Sequence, residues 1–186
     1  MDPKPSAFHV VHYQPNTSEY DVLADEYGAP VYIYDPEDPP TTDNLVQPDP
    51  PDDLTDPEKI SELGAYPLVI LDEVTRNLKN ESFHRIERLL NFDSSHKNTN
   101  VICSIQDLTM VDHRHRHAFN QFCLWPFTDK RQKASAATWV GMDPGMLDQM
   151  FALCDTDKKQ FIWIDTEPSE PKWKYRLCLT EPISKK

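Results

Sequence analysis

The feature that most constrains this fold is the run Tyr66-Pro67-Leu68-Val69-Ile70-Leu71-Asp72-Glu73. Pro67 to Leu71 are apolar without interruption. A strand with one face in water alternates polar and apolar residues. An unbroken run suits a central parallel strand covered on both faces. The run ends in two carboxylates, Asp72 and Glu73. In an open α/β sheet the carboxyl ends of the strands form the edge where ligands sit, so both acids are candidates for chemistry.

The sequence on either side follows the same pattern. Phe8–Tyr13 and Pro30–Tyr34 are β-branched and aromatic, bounded by turn residues, and read as strands. Between them 18–27 reads as a short helix with Ser18 as its cap. Thr55-Asp56-Pro57-Glu58 reads as a helix start, and that helix ends near Gly64. Phe83, Ile86, Leu89 and Leu90 give 82–92 a helical period. Asn100–Gln106 reads as another buried strand, and Phe122–Trp125 as a short one. Asp143-Pro144 opens a helix with Met146, Leu147, Met150, Phe151 and Cys154 on its apolar face. Phe161–Asp165 and Tyr175–Leu179 are close enough for an antiparallel hairpin. Strands alternating with helices predict one three-layer α/β domain over 1–186 with a mainly parallel sheet.

One stretch departs from this pattern. Asp35 to Glu58 holds nine acids and seven prolines, with no Lys or Arg. That composition repels itself and predicts an acidic, Pro-rich insertion loop over 35–54, solvated rather than packed. The 186-residue chain carries a formal net charge of −12. It has no general attraction for DNA phosphates, and contact with nucleic acid needs a local basic patch or a partner. No segment reaches the ~20 apolar residues of a membrane span, and the first residues have no apolar signal region. The expectation is an intracellular protein with no membrane partner. Cys103, Cys123, Cys154 and Cys178 form no CxxC pair, so they read as buried thiols in a reducing compartment.

Two constellations could do chemistry. In P-loop NTPases a strand ending in acids holds Mg²⁺ with the first carboxylate, and a second group orients or deprotonates the attacking water. On that pattern Asp72 is the magnesium residue and Glu73 the base. The next strand ends in Gln106, where many such ATPases place a polar sensor of the phosphate or the water. The second constellation is Asp112-His113-Arg114-His115-Arg116-His117. Alternating His on a strand would present metal ligands on one face, yet the interleaved Arg charges oppose a cation. The alternatives are a solvated basic turn, or a turn whose Arg114 or Arg116 reaches a neighbouring subunit's nucleotide or DNA phosphates. Lys130, Arg131 and Lys133 suit the polar face of a helix.

Read in order, the chain resembles the viral genome-packaging ATPases of the FtsK–HerA P-loop superfamily, in the poxvirus-type branch with its polinton-like relatives. The resemblance is carried by Phe8–Pro15 with Ser18-Glu19-Tyr20, by Pro67–Glu73, and by Ser95-His96 before Val101–Gln106. It continues through the basic turn and Asn120 before Phe122–Phe127, then Phe161–Asp165 and Tyr175–Leu179. It covers most of the chain outside the acidic stretch. It implies an ASCE-type P-loop core with ATP and Mg²⁺ as cofactors. It also implies a homo-oligomeric motor that moves double-stranded DNA into a capsid, in the host nucleus, the cytoplasm or the virion. Asp72 would then meet Mg²⁺, Glu73 would act on water, Gln106 would sense phosphate, and Arg116 would act across a subunit interface.

The sequence departs from that family at GxxxxGK[ST], the loop whose amides and Lys cradle phosphates. Its glycines are Gly28, Gly64, Gly141 and Gly145, none followed by Lys-Ser or Lys-Thr in that spacing. The resemblance therefore implies a core without its first strand and phosphate loop. Such a chain would be a truncated or split form, or one completed by a Walker A-bearing partner chain. Two other readings stand beside it: a non-enzymatic interaction protein on a degenerate ATPase fold, and a metal-dependent nuclease-like enzyme built on Asp72, Glu73 and the His run.

Overall fold

The apolar run before Glu73 forms a strand, Leu68–Asp72, and a parallel sheet grows on both sides of it. A computed structural model describes residues 4–14, 17–45, 66–73, 80–94, 99–111 and 113–183; for 42, 80, 83, 93, 110, 113 and 114 only the backbone is described. The chain divides into two units, 1–106 and 107–186.

The first unit contains β1 (Phe8–Val11), α1 (Asp21–Tyr27), β2 (Val31–Tyr34), β3 (Leu68–Asp72), α2 (Asn80–Arg88) and β4 (Asn100–Ser104). The strand order is β2-β1-β3-β4 and every pairing is parallel. Phe8 pairs with Leu68 and Val11 with Leu71, while Asp72 pairs with Ser104. Paired residues share a face, so the register sorts the core. On one face Phe8, Leu68 and Ala29 are buried together, with Leu23 and Tyr27 of α1 packed against them. On the other face His9, Val11, Val69 and Leu71 are fully buried. Each such apolar side chain contributes about 1.5–3 kcal/mol. The expected double coverage of the central strand is present.

Local chemistry sets the element ends. Gly28 closes α1 at φ 66°, its N–H donating to the Ala24 carbonyl at 2.9 Å. The left-handed conformation is cheap there because glycine has no Cβ. The helix read over 18–27 starts at Asp21, preceded by Tyr20 rather than capped by Ser18. α2 runs on into a π-helical turn, Leu89–Asp93.

The acidic stretch is a correction over its first half. Pro36, Pro39, Pro40 and Leu45 are buried, while Asp35, Glu37, Asp38 and Asp43 face water. Ser82 Oγ donates to the Glu37 carbonyl at 2.8 Å, and Arg85 pairs with Asp38 at 2.8 Å. Proline has no N–H to leave unsatisfied, so the segment buries its prolines and turns its acids outward. Residues 46–65, with the predicted helix start at Thr55 and with Gly64, lie outside the described residues. So do Ser95, His96 and Asp112.

The second unit holds β5 (Gln121–Leu124), α3 (Lys130–Trp139), α4 (Pro144–Phe151), β6 (Ile162–Asp165), β7 (Tyr175–Leu177) and β8 (Glu181–Pro182). Its order is β5-β6-β7-β8, antiparallel throughout. The expected hairpin is there, extended by β5 and β8. Asp129 caps α3, accepting from Gln132 N at 2.8 Å, and Asp143 caps α4, accepting from Gly145 N at 2.8 Å. Leu147, Ile162 and Ile164 are fully buried at the centre of this unit's core. Among the described residues, no helix is long and apolar enough to cross a membrane.

Candidate functional site

A parallel sheet brings the carboxyl ends of all its strands to one edge. In the first unit that edge carries His12 just beyond β1, Asp72 and Glu73 at the end of β3, and Gln106 just beyond β4. The pairing of Val11 with Leu71 puts His12 level with Asp72 and on the same face. α1 covers that face. Its first turn lies at the carboxyl edge, because a helix crossing between parallel strands runs back against them. Tyr20, immediately before α1, therefore meets Asp72.

The contacts are specific. Tyr20 Oη donates to Asp72 Oδ2 at 2.5 Å. His12 Nε2 lies 3.7 Å from the same oxygen, and its ring meets the Tyr20 ring edge-on at 5.9 Å. Gln14 N donates to His12 Nδ1 at 3.1 Å. The Gln14 carbonyl lies 3.4 Å from the same nitrogen, so Nδ1 has both a donor and an acceptor within reach. The His12 and Asp72 side chains keep 18% and 25% of their surface exposed, so this is a partly wetted cluster rather than a sealed one. The Tyr20 hydroxyl's pKa is raised, first by burial, then by its bond to Asp72 and by the charges of Asp72, Glu19 and Glu73. Burial, with the Asp72 charge behind it, pushes the nearby Cys103 thiol up to about 12.

Glu73 is held differently. Its φ is 56°, in the left-handed region that penalises a side chain with a Cβ. Its N–H donates to the Ser104 carbonyl at 3.1 Å, tying the kink to β4. Its Oε1 accepts a hydrogen bond from the Gln106 side-chain amide. A strained non-glycine residue whose carboxylate is fixed from the next strand is what a functional site at this edge would show.

Of the residues singled out from sequence, Asp72, Glu73 and Gln106 come together at one edge. Arg116 lies in the second unit, in a 3₁₀ turn over His113–Ala118, with its Nε 3.4 Å from His117 Nε2. His115 in that turn is buried. Among the described residues no group of three His, Cys, Asp or Glu side chains is placed to hold a metal ion. Lys130, Arg131 and Lys133 open α3, where Lys133 pairs with Asp148 at 2.5 Å. Sequence reasoning did not place His12 and Tyr20 beside Asp72. One signal was available, a His placed directly after a buried strand.

A magnesium nucleotide has two requirements, and the described residues meet one of them. Mg²⁺ is usually held by one or two carboxylates plus substrate phosphates. Asp72 fits, since no donor among the described residues engages its Oδ1. The phosphate cradle does not form here. Gly28 closes α1 at the opposite, amino edge, and Gly141 and Gly145 belong to the second unit. Lys4 precedes β1 at that same amino edge, and it is the one lysine among the first unit's described residues.

No protein-family profile and no curated protein matches the sequence. Solved structures do match. One is the genome packaging NTPase B204 from Sulfolobus turreted icosahedral virus 2 in complex with ATP-gammaS, at TM-score 0.54 and 14% identity, covering 96% of this chain and 83% of that one. The same NTPase with sulfate matches at TM-score 0.55 and 12% identity, covering 97% and 83%. With AMPPCP it matches at 0.53 and 11%, covering 95% and 83%. At such identities the likeness is one of fold, and the fold of this chain is the α/β fold of a viral genome-packaging NTPase.

Proposed function

We propose that this chain is a packaging-ATPase-like protein whose first unit carries the hydrolytic side of a nucleotide site. One observation carries the reading: Asp72, strained Glu73 and Gln106 meet at the carboxyl edge of a parallel sheet. In this reading Asp72 would be the carboxylate that holds the magnesium ion accompanying ATP, an ion that would neutralise phosphate charge. Glu73 would act as the base toward water, or orient it. Gln106, whose amide donates to the Glu73 carboxylate, holds that side chain in place and would sense the phosphate. Arg116 acts from a neighbouring copy of the chain, as a ring with head-to-tail contacts allows. Double-stranded DNA and a capsid are the partners.

The missing phosphate cradle needs a source. Among the described residues β4 pairs with β3 on one edge and with no strand on the other. A parallel strand laid along its other edge would bring a phosphate-binding loop to the level of Asp72. We assign that strand to a Walker A-bearing partner segment.

Calorimetric titration of MgATP into the chain tests the reading, with Glu73→Gln beside it to trap bound nucleotide. Binding that Asp72→Asn abolishes supports it. No binding at millimolar nucleotide, alone or with a Walker A-bearing partner, overturns it. The absence of a phosphate cradle among the described residues favours one second reading, an interaction protein that keeps the fold without the nucleotide. That reading requires no Asp72-dependent nucleotide binding under any of these conditions.

A further inference from the structure

The antiparallel sheet of the second unit has two unlike faces. On one, Ile162, Ile164 and Tyr175 are buried with residues of α3 and α4. On the other, register sets Cys123 beside Trp163 and Trp163 beside Arg176. Trp125 lies two residues past Cys123, and Phe161 two before Trp163, so both continue this outer face. Their rings stand 5.1 Å apart. Trp125, Phe161, Trp163 and Arg176 all keep exposed surface, 53% of it for Trp125. The Arg176 guanidinium lies over the Trp163 ring at 5.4 Å. β7 and the turn before it read Lys172-Trp173-Lys174-Tyr175-Arg176, an alternation of cations and rings. Lys172 and Lys174 stand over the rings of Trp173 and Tyr175 at 5.3 and 5.6 Å. Two acids nearby are engaged. Asp165 Oδ1 accepts from Glu167 N at 2.9 Å, and Glu170 pairs with Lys172 at 2.9 Å.

The charge of the chain is divided unevenly. Residues 107–186 hold twelve Lys and Arg against eleven Asp and Glu, while residues 1–106 hold seven against twenty. The acidity of the chain belongs to the first unit, and the second is the part that a polyanion can approach. An antiparallel sheet with helices behind it and rings and cations in front suits unpaired bases, which stack on the rings while cations meet their phosphates. In a duplex the base faces are already stacked on one another, and an exposed Trp finds no partner there.

We propose that the outer face of β5, β6 and β7 binds single-stranded nucleic acid: Trp125 stacks on a base, the Trp163–Arg176 pair holds the neighbouring nucleotide, and Lys172 and Lys174 meet phosphates. This surface goes beyond the double-stranded partner of the proposed function and uses no residue of the first unit, so either reading can fail without the other.

The test is fluorescence anisotropy of a labelled oligothymidylate titrated with the full chain, beside the same strand paired into a duplex. The single strand should bind more tightly than the duplex, with affinity falling as salt rises from about 50 to about 200 mM. Trp125→Leu keeps an apolar side chain without a ring, and should weaken binding about tenfold or more. Trp125→Phe should retain most of the affinity. Arg176→Gln should flatten the slope of log affinity against log salt by about 0.7. A reading that needs no variant comes from NMR of the wild-type chain, where the indole N–H resonances of Trp125 and Trp163 should shift as oligothymidylate is added. The proposal is overturned by no single-strand binding at low salt, or by binding that leaves both indole resonances unmoved. It is equally overturned by affinity that Trp125→Leu and Arg176→Gln leave unchanged. A duplex bound as tightly as the single strand also overturns it, and would support a double-stranded partner instead.

Discussion

Gln106 donates its side-chain amide to the carboxylate of Glu73, thirty-three residues earlier, across the adjacent ends of β4 and β3. The bond fixes a side chain whose own backbone is under strain, at φ 56°. An L-residue held there costs about 1–2 kcal/mol. Glycine removes that cost and returns about 0.5–1 kcal/mol as extra freedom of the unfolded chain. Glu73→Gly should therefore stabilise the protein by about 0.5–1 kcal/mol in urea unfolding, and Glu73→Ala should not. A Glu73→Gly variant no more stable than Glu73→Ala would show that the strain is not stored at this residue.

His9 makes stability pH-dependent. It is fully buried, stacked beside Tyr32 and Tyr34, with Nδ1 3.0 Å from the Tyr34 hydroxyl. Burial lowers its pKa from 6.5 to about 4. As pH falls below 6.5 the unfolded chain takes up this proton and the folded chain does not, so stability falls until pH reaches about 4. The full loss is roughly 3 kcal/mol. His9→Phe should flatten this part of the curve, measured as the difference between the two proteins in urea midpoints from pH 7 to pH 4. Parallel curves would show that His9 does not titrate apart from the unfolded chain.

Gly28 closes α1 in the left-handed region, and a Cβ built on it meets nothing within 4 Å. The expected cost of Gly28→Ala is therefore conformational only, about 1–2 kcal/mol. Gly28→Asn should cost less, because Asn visits that region more readily. Equal losses for the two variants would point to packing instead.

Asp143 accepts from Gly145 N at 2.8 Å and precedes Pro144 at the start of α4. Asp143→Ala should cost about 1 kcal/mol. Asp143→Ser should recover most of it, read from urea unfolding. A loss below a few tenths would mean that Pro144 alone starts the helix.

Much of this was legible in the residues. The run Pro67–Leu71 announced a doubly covered strand because no half-wet strand tolerates it, and Asp143-Pro144 announced a helix start because the cap and the fixed φ act locally. Asp72, Glu73 and Gln106 could be set at one sheet edge because parallel strands end on the same side. The packing of Pro36, Pro39 and Pro40 was not legible. Their acidic neighbours dominate the composition, and only Ser82 and Arg85, far along the chain, show which way the segment turns. The antiparallel pairing of β5 was equally hidden, since a short apolar strand does not encode the direction of its neighbour.

The sequence by itself determined most of the strands, the helix opened by Asp143-Pro144 and the two carboxylates at the end of the central strand, because hydrophobic period, capping and turn chemistry act over a few residues. Only the tertiary structure decided that Tyr20 and His12 close on one oxygen of Asp72, that Gln106 holds Glu73, and that Glu73 stands in the left-handed region. Those contacts join residues up to sixty positions apart, His12 and Asp72. They depend on register and on the crossover of α1, which no local pattern records.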